Sequence, residues 1–543
     1  MTDSQRNVTL SYGYYVNGNR KSMAVIKAGK TLGNVGYEYT DNNMVSSVTD
    51  FDGDKTVYGY YPFGGLKTIT RPNGVVTTYD YHDLTHQVKK ITHKDRFGSA
   101  INYFEYPEYD NVGNRMRMRS LTGETLYDYD SLYQLRDVKY SGGREVSYFY
   151  DKVGNRKHMT ETIPGEPVVN TGYTYEVNNE LKQLTANGVT TAFTYDENGN
   201  QTTKGTTRFA WDEKNRLGII YYPAGSNIPA SRCRYNANGL RETMTNLTFT
   251  TGTRYFYDGT DVVMETDAGS TITALYTVGA GEIVSKKIRW DTGVWSKMYY
   301  LYDALDNTMN LTDDRGNLLQ TYYYDAFGKC MNVSRDPGNK MQFVGGYGIQ
   351  TDEDSGVQYM RARYYDPDLG RFISKISGAI QSTYIYCFNN PVNNNDVTGL
   401  VEPQTVKIAR ETLERLFPDL GGNIKNKPVV FDESIQGNSD TNGIIRLKTS
   451  SMLNEKSEVD PDVVAAYLAH EATHNSKKYN GTTDTIEQES VAEINKARLW
   501  LEVRNGKKDL TGQLDVWVAA LKMGPEGVKA LVRQLYGKMP EKQ

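Results

Sequence analysis

Cysteine, long apolar runs and an excess of charge of either sign are what this sequence lacks, and each absence removes a class of protein. Of 543 residues only three are cysteines, Cys233, Cys330 and Cys387. They are odd in number, far apart and without a CxxC pair, which argues against a disulfide framework and a cysteine-held zinc. No run of eighteen apolar residues occurs, so no membrane span is predicted, and the opening MTDSQRNVTLSYGYY has neither the basic nor the apolar region of a Sec signal. The net charge is −4, and residues 401–543 carry 20 Lys and Arg against 21 Asp and Glu. Without a polycationic footprint, the expectation is no nucleic acid as partner. Phenylalanine is scarce, 15 residues, where tyrosine and glycine are abundant, 43 and 50. That balance favours twisted β-structure with polar-tipped aromatics and many tight turns.

From about residue 36 to residue 258 a Tyr-Asp step returns, followed by a glycine turn and an extended polar-aromatic segment. Tyr109-Asp110-Asn111-Val112-Gly113-Asn114, Tyr150-Asp151-Lys152-Val153-Gly154-Asn155 and Tyr195-Asp196-Glu197-Asn198-Gly199-Asn200 share the form YDxxGN. Asp can accept from the backbone N–H two residues on, and the glycine three positions later can take the left-handed conformation. Each unit therefore reads as a β-hairpin that must stack on its neighbours, its tyrosine rings packed and its hydroxyls left for water or a partner. The opening lies within repeat-like sequence, as expected of the C-terminal part of a longer protein or of a short gene whose product leaves by another route.

These repeats, the segment Gly345 to Ser374 with its Arg361-Ala362-Arg363-Tyr364-Tyr365-Asp366-Pro367 core, and Tyr384-Ile385-Tyr386-Cys387-Phe388-Asn389-Asn390-Pro391-Val392-Asn393 resemble the RHS or YD-repeat family. The resemblance covers residues 1–400 and implies a mainly β shell of YD-repeat hairpins over 1–330, closed by an RHS-associated core over 331–400. In that family the shell encloses a C-terminal toxin, and the core ends in a DPxGL element at which the chain cleaves itself. Here the element reads Asp396-Val397-Thr398-Gly399-Leu400, and its upstream counterpart, Ser374 to Gly378, has no aspartate. Aspartyl chemistry needs one protonated and one ionised carboxyl, so cleavage after Leu400 through Asp396 alone is expected to be impaired or absent. An array of this length is also short for a closed shell.

After Leu400 the repeats stop and helical periodicity begins, marking a domain over 401–543. A helix is predicted from Glu402 to Phe417, strands at Pro428–Phe431 and Gly443–Leu447, and a helix opened by Asp460 and Pro461. That last helix carries His470-Glu471-Ala472-Thr473-His474, an HExxH pattern that a chain with six histidines meets by accident about half a per cent of the time. Residues four apart share a helix face, so His470 and His474 can grip one Zn2+ with Glu471 beside it as general base. On the next predicted helix Glu489 and Glu493 share a face with Ile486 and Trp500. The pattern resembles the gluzincins, which implies Glu489 as third metal ligand and Glu493 as partner of a ligating histidine or alternative ligand.

Taken together these features predict a small α+β zincin-like domain behind a β shell. The predicted function is an RHS-family polymorphic toxin whose shell carries a zinc metalloendopeptidase that cuts a target-cell protein substrate. The resemblance further implies a cognate immunity protein and a secretion apparatus, such as a type VI spike, or an N-terminal delivery module. Such a protein is made in the bacterial cytoplasm and then secreted or delivered into a target cell. The competing expectation is a cell-surface YD-repeat adhesion protein that binds carbohydrate, with a structural zinc module as its tail.

Overall fold

The Tyr-Asp steps fold as turns, and the turns set the architecture. Asp110 Oδ1 accepts from the backbone N–H of Val112 at 3.0 Å and of Asn114 at 2.8 Å, while the Asp110 N–H donates to Asn114 O at 2.9 Å. Gly113 sits between them at φ 91°, where a side chain would be strained. The same pair of bonds to one carboxylate oxygen recurs at Asp151, Asp196 and Asp303. The turn expected from the sequence is the turn observed.

The tyrosine hydroxyls depart from expectation. Tyr129 OH donates to Arg115 O at 2.6 Å, Tyr150 OH to Leu135 O at 2.8 Å, Tyr175 OH to Arg156 O at 2.8 Å and Tyr257 OH to Arg241 O at 2.6 Å. In each case the acceptor is the carbonyl just past the preceding turn. The hydroxyls are not left for water, because a carbonyl at the start of a half-buried strand would otherwise lack a donor.

This computed structural model describes residues 2–3, 7–221, 229–246, 251–332, 338–352, 355–375 and 384–400, together with 429–431, 439–441 and 444–447. The chain divides into two units, Met1–Lys375 with Ser382–Gly399, and Ile376–Gln381 with Leu400–Gln543. In the first unit thirty strands form one sheet in which each strand pairs antiparallel with the next along the chain. Strand Val8–Tyr14 shows the period of two that builds it, burying Val8 and Leu10 while Ser11 is exposed.

The sheet returns over itself. Val25, Val35, Val48 and Ile69 share one core with Phe256, Met264 and Leu275, more than 180 residues later. Polar bonds follow the same path: Tyr12 OH donates to Asp258 at 2.9 Å, Asn73 Nδ2 to Asp313 O at 2.8 Å, and His93 Nε2 meets Tyr302 O at 2.9 Å. Lys297 Nζ is held by Asp50, Asp52 and Asp54 at 2.7, 2.9 and 2.6 Å. These three carboxylates have the spacing of a metal site, but the ammonium supplies the cation they need.

The residues after the last strand of the sheet line the later repeats. A four-stranded antiparallel sheet, Gln350–Thr351, Gln358–Met360, Arg363–Asp366 and Arg371–Phe372, packs Tyr359, Tyr364 and Ile373 against Phe209, Leu217 and Ile220. Phe343, Tyr365, Phe372 and Tyr386 form its aromatic centre.

In the second unit Val429–Phe431 pairs parallel with Ile444–Leu447, which pairs antiparallel with Ser439–Thr441. The two strands expected there are present, with a third from the polar loop between them. The predicted helices, and with them the α+β zincin-like character of the tail, lie outside the described residues. Among the described residues the chain is almost entirely β, and no helix is long and apolar enough to cross a membrane.

Candidate functional site

Of the residues singled out in the sequence, Asp396 and Leu400 are described, and His470, Glu471, His474, Glu489 and Glu493 lie outside the described residues. The described site is the end of the first unit, residues 396–399, and the surfaces that hold it.

It is built on the turn between Gln358–Met360 and Arg363–Asp366. The turn places Arg361 in the left-handed conformation at φ 57° and sends two guanidinium groups toward the same stretch of chain. Arg361 donates to Val397 O and, at 2.7 Å, to Tyr347 O, while Arg363 Nε donates to Gly399 O. The Ala362 N–H donates to Thr398 O at 3.1 Å. Gly399 has φ 67°, and a Cβ there would meet Met360 O at 2.2 Å, so the glycine of this element is required by close approach.

Asp396 faces Arg363. Its Oδ2 lies 3.5 Å from the guanidinium, and its Oδ1 accepts from the Thr398 N–H at 3.2 Å and hydroxyl at 3.1 Å. Burial pushes the Asp396 carboxyl up, and Arg363 and the Thr398 donors pull it back. Burial likewise pushes Arg363 down to about 9, opposed by Asp396, while the guanidinium lies 3.4 Å from the centre of the Phe372 ring. A carboxyl biased toward its neutral form can donate a proton. Activating water for peptide cleavage needs a second, ionised carboxylate, and among the described residues none is bonded to Asp396.

A strap of residues leads into this site by reading the turns of the wall. Tyr384 OH donates to Gly199 O at 2.7 Å, Asn389 Nδ2 to Gly154 O at 2.7 Å and Asn390 Nδ2 to Asn114 Oδ1 at 2.9 Å, and Asn393 Oδ1 accepts from the Arg115 N–H at 2.9 Å. Cys387, Phe388 and Asn389 all take positive φ, 47°, 54° and 59°, a strained path that these bonds offset. The roles of Arg361, Arg363 and the strap asparagines were not assigned from sequence. The signal was their dense clustering in two short motifs, which carries no indication of which distant turns they meet.

No family model matches the chain. It is 31% identical over 356 residues to the tRNA3(Ser)-specific nuclease WapA of Bacillus spizizenii, covering 63% of this chain and 14% of that protein. It is 31% identical over 111 residues to the toxin protein Tse5 of Pseudomonas aeruginosa, 20% of this chain and 8% of that one, and 25% identical over 399 residues to the toxin subunit YenC1 of Yersinia entomophaga, 60% and 40% respectively. The crystal structure of TcdB2-TccC3 superposes with a TM-score of 0.55 at 17% identity, covering 72% of this chain and 24% of that one, which shows a shared fold. The chain thus spans about one seventh of the length of the WapA relative.

These relatives correct two expectations. The zinc metalloendopeptidase is overturned: the relatives whose names state a reaction are tRNA nucleases, among them the tRNA nuclease WapA of Bacillus subtilis, 30% identical over 353 residues. HExxH reports how two imidazoles could face one metal, and the same Lewis acid chemistry serves phosphoester and peptide bonds alike, so the motif never specified a peptide substrate. The exclusion of nucleic acid falls with it, because a near-zero net charge averages over patches and says nothing of any one surface.

Proposed function

We propose that the chain is part of an RHS-type polymorphic toxin in which the β-structured first unit carries a toxic C-terminal segment, residues 401–543, that acts on a nucleic acid of the target cell. The observation that carries this reading is the similarity to the WapA nucleases over 356 residues, supported by the likeness to Tse5 and YenC1 and by the fold shared with TccC3. The substrate class proposed is RNA, on the support of the WapA relatives, whose names state tRNA. The protein would be made in a bacterial cytoplasm, secreted or delivered by a further module, and neutralised at home by a cognate immunity protein.

Two imidazoles and a carboxylate, His470, His474 and Glu489, are a donor set suited to Zn2+. The ion would supply Lewis acidity and lower the pKa of water. Glu471 would take the proton of the attacking water, and Glu493 would orient a ligating histidine.

The test is induction of the full chain in the cytoplasm of a bacterium without the immunity protein, beside Glu471→Ala and His470→Ala. Growth arrest with loss of intact tRNA, both abolished in the variants, and zinc retained in Glu471→Ala but lost in His470→Ala by elemental analysis, is the expected result. Arrest with intact tRNA would overturn the nuclease reading, and arrest in both variants would remove the tail histidines and Glu471 from the chemistry.

A further inference from the structure

Lys286 stands where the pattern of its neighbours calls for an apolar side chain. On strand Glu282–Arg289 it lies directly across from Tyr276 of Ile272–Gly279 and Met298 of Trp295–Tyr302, so the three share one face of the sheet. On that face Tyr276, Met298, Tyr300, Tyr322 and Met341 form a core, and Lys286, 2% exposed, has its ammonium 5.2 Å from the centre of the Tyr276 ring. A charge is costly to keep in such surroundings, whereas a neutral amine is a nucleophile there.

Met341 brings residues 338–340 onto this core. Lys286 Nζ donates to Gly338 O at 2.8 Å. That carbonyl belongs to the peptide bond that carries Asn339, so Nζ is no more than about 8 Å from Asn339 Cγ before either side chain turns. Asn339 is fully buried, and its Oδ1 accepts from the Met341 N–H at 2.9 Å and the Tyr300 hydroxyl at 3.0 Å. Two donors on one amide oxygen polarise its carbonyl and suit an oxyanion. Glu265, also buried, accepts from the Tyr276 hydroxyl at 2.7 Å and lies 3.8 Å from the Lys340 ammonium. Burial pushes its carboxyl up, but Lys340, Lys286 and Tyr276 together hold it below the usual carboxylate range, which leaves an ionised base within electrostatic reach of the amine.

We propose that the chain joins Lys286 to Asn339 by an isopeptide bond, with Glu265 as the proton carrier. Glu265 takes a proton from the Lys286 ammonium, and the freed amine attacks Asn339 Cγ. The tetrahedral oxyanion rests on the Met341 N–H and the Tyr300 hydroxyl. Its collapse breaks the Cγ–Nδ2 bond, and Nδ2 leaves as ammonium, having received through Glu265 the two protons that Lys286 gave up. A secondary amide remains, Glu265 is again a carboxylate beside Lys340, and the wall is covalently tied to the segment that lines it. The reaction is independent of the chemistry of the tail.

The experiment is intact-mass spectrometry of the full chain, made by cell-free synthesis, followed by tryptic mapping. A mass about 17 Da below that of the sequence is expected, the loss of one ammonia. Because trypsin does not cut after an acylated lysine, a branched peptide should join Tyr255–Lys287 to Asp336–Lys340. Glu265→Gln keeps an acceptor for Tyr276 and should show the full sequence mass and two separate peptides. The unaltered chain decides whether the bond exists even if that variant does not fold. The full sequence mass in the unaltered chain, a lighter mass without the branched peptide, or a branch that persists in Glu265→Gln would overturn the proposal.

Discussion

The repeat wall and the segment that lines it are encoded in different ways. In the wall, five consecutive residues such as Asp110 to Asn114 contain every donor and acceptor their turn requires, and the strands on either side find their partners next along the chain. In the lining, Arg363, Asn389 and Asn390 are satisfied by groups up to 276 residues away or by a chain segment that is itself held from elsewhere. Local encoding spreads stability over many small, replaceable terms, whereas long-range encoding concentrates it in a few buried polar groups.

Substitutions that strike one region and spare the other test that contrast. The largest effect is expected at Arg363→Met, which leaves Asp396 buried without its guanidinium and frees residues 396–399. A loss of about 3 kcal/mol in denaturant unfolding is expected, and a loss below that of a wall turn would break the distinction. His93 comes next. Burial, reinforced by Arg71, pushes its pKa down to about 3, so the folded state refuses a proton that the unfolded chain accepts below the ordinary value of 6.5. Its contribution is therefore constant above the unfolded value and is lost as pH falls below it, by about 2 kcal/mol at pH 5. Between pH 7 and pH 5 the stability of the protein should fall relative to that of His93→Gln by this amount, while buried Glu282 and Asp306, raised to about 8 and about 6, contribute equally to both.

Asp110→Ala removes three bonds of a single turn, from the Val112 and Asn114 N–H groups and the Asn114 amide, and should cost about 1 kcal/mol, with faster amide exchange confined to residues near 109–115. Exchange accelerated across neighbouring repeats would show that the wall is more cooperative than its bonding pattern implies. Tyr150→Phe is the smallest, about 0.5 kcal/mol or slightly more, since it deletes one hydroxyl bond to Leu135 O and keeps the ring. Tyr129→Phe should add to it independently if each repeat is a separate term.

What could be read in advance follows the same division. Asp110, Gly113 and Asn114 announced their turn, because five residues in sequence are five residues in space. Val429–Phe431 and Ile444–Leu447 were visible for the same reason. The direction of the tyrosine hydroxyls, the ammonium of Lys297 among three aspartates and the grip of Arg361 and Arg363 on residues 396–399 were not, since nothing local in a sequence says which carbonyl lies across a returning sheet. Asp396 was legible as a residue but not as one face of a buried ion pair. HExxH, which lies outside the described residues, suggested a pair of metal donors and was extended too far, to a substrate that only the rest of a site can choose.

The tyrosine bonds have a further consequence for synthesis. Each of these four hydroxyls points to a carbonyl made earlier, whereas Tyr15 and Tyr61 donate forward to Tyr37 O and Tyr79 O, so in the later repeats a chain leaving the ribosome could lay down strands in order, each new one completing a predecessor already in place. The strap that reads Gly199, Gly154 and Asn114 is translated after all the turns it touches. The end of the first unit is thus fastened only when the wall it fastens to is finished.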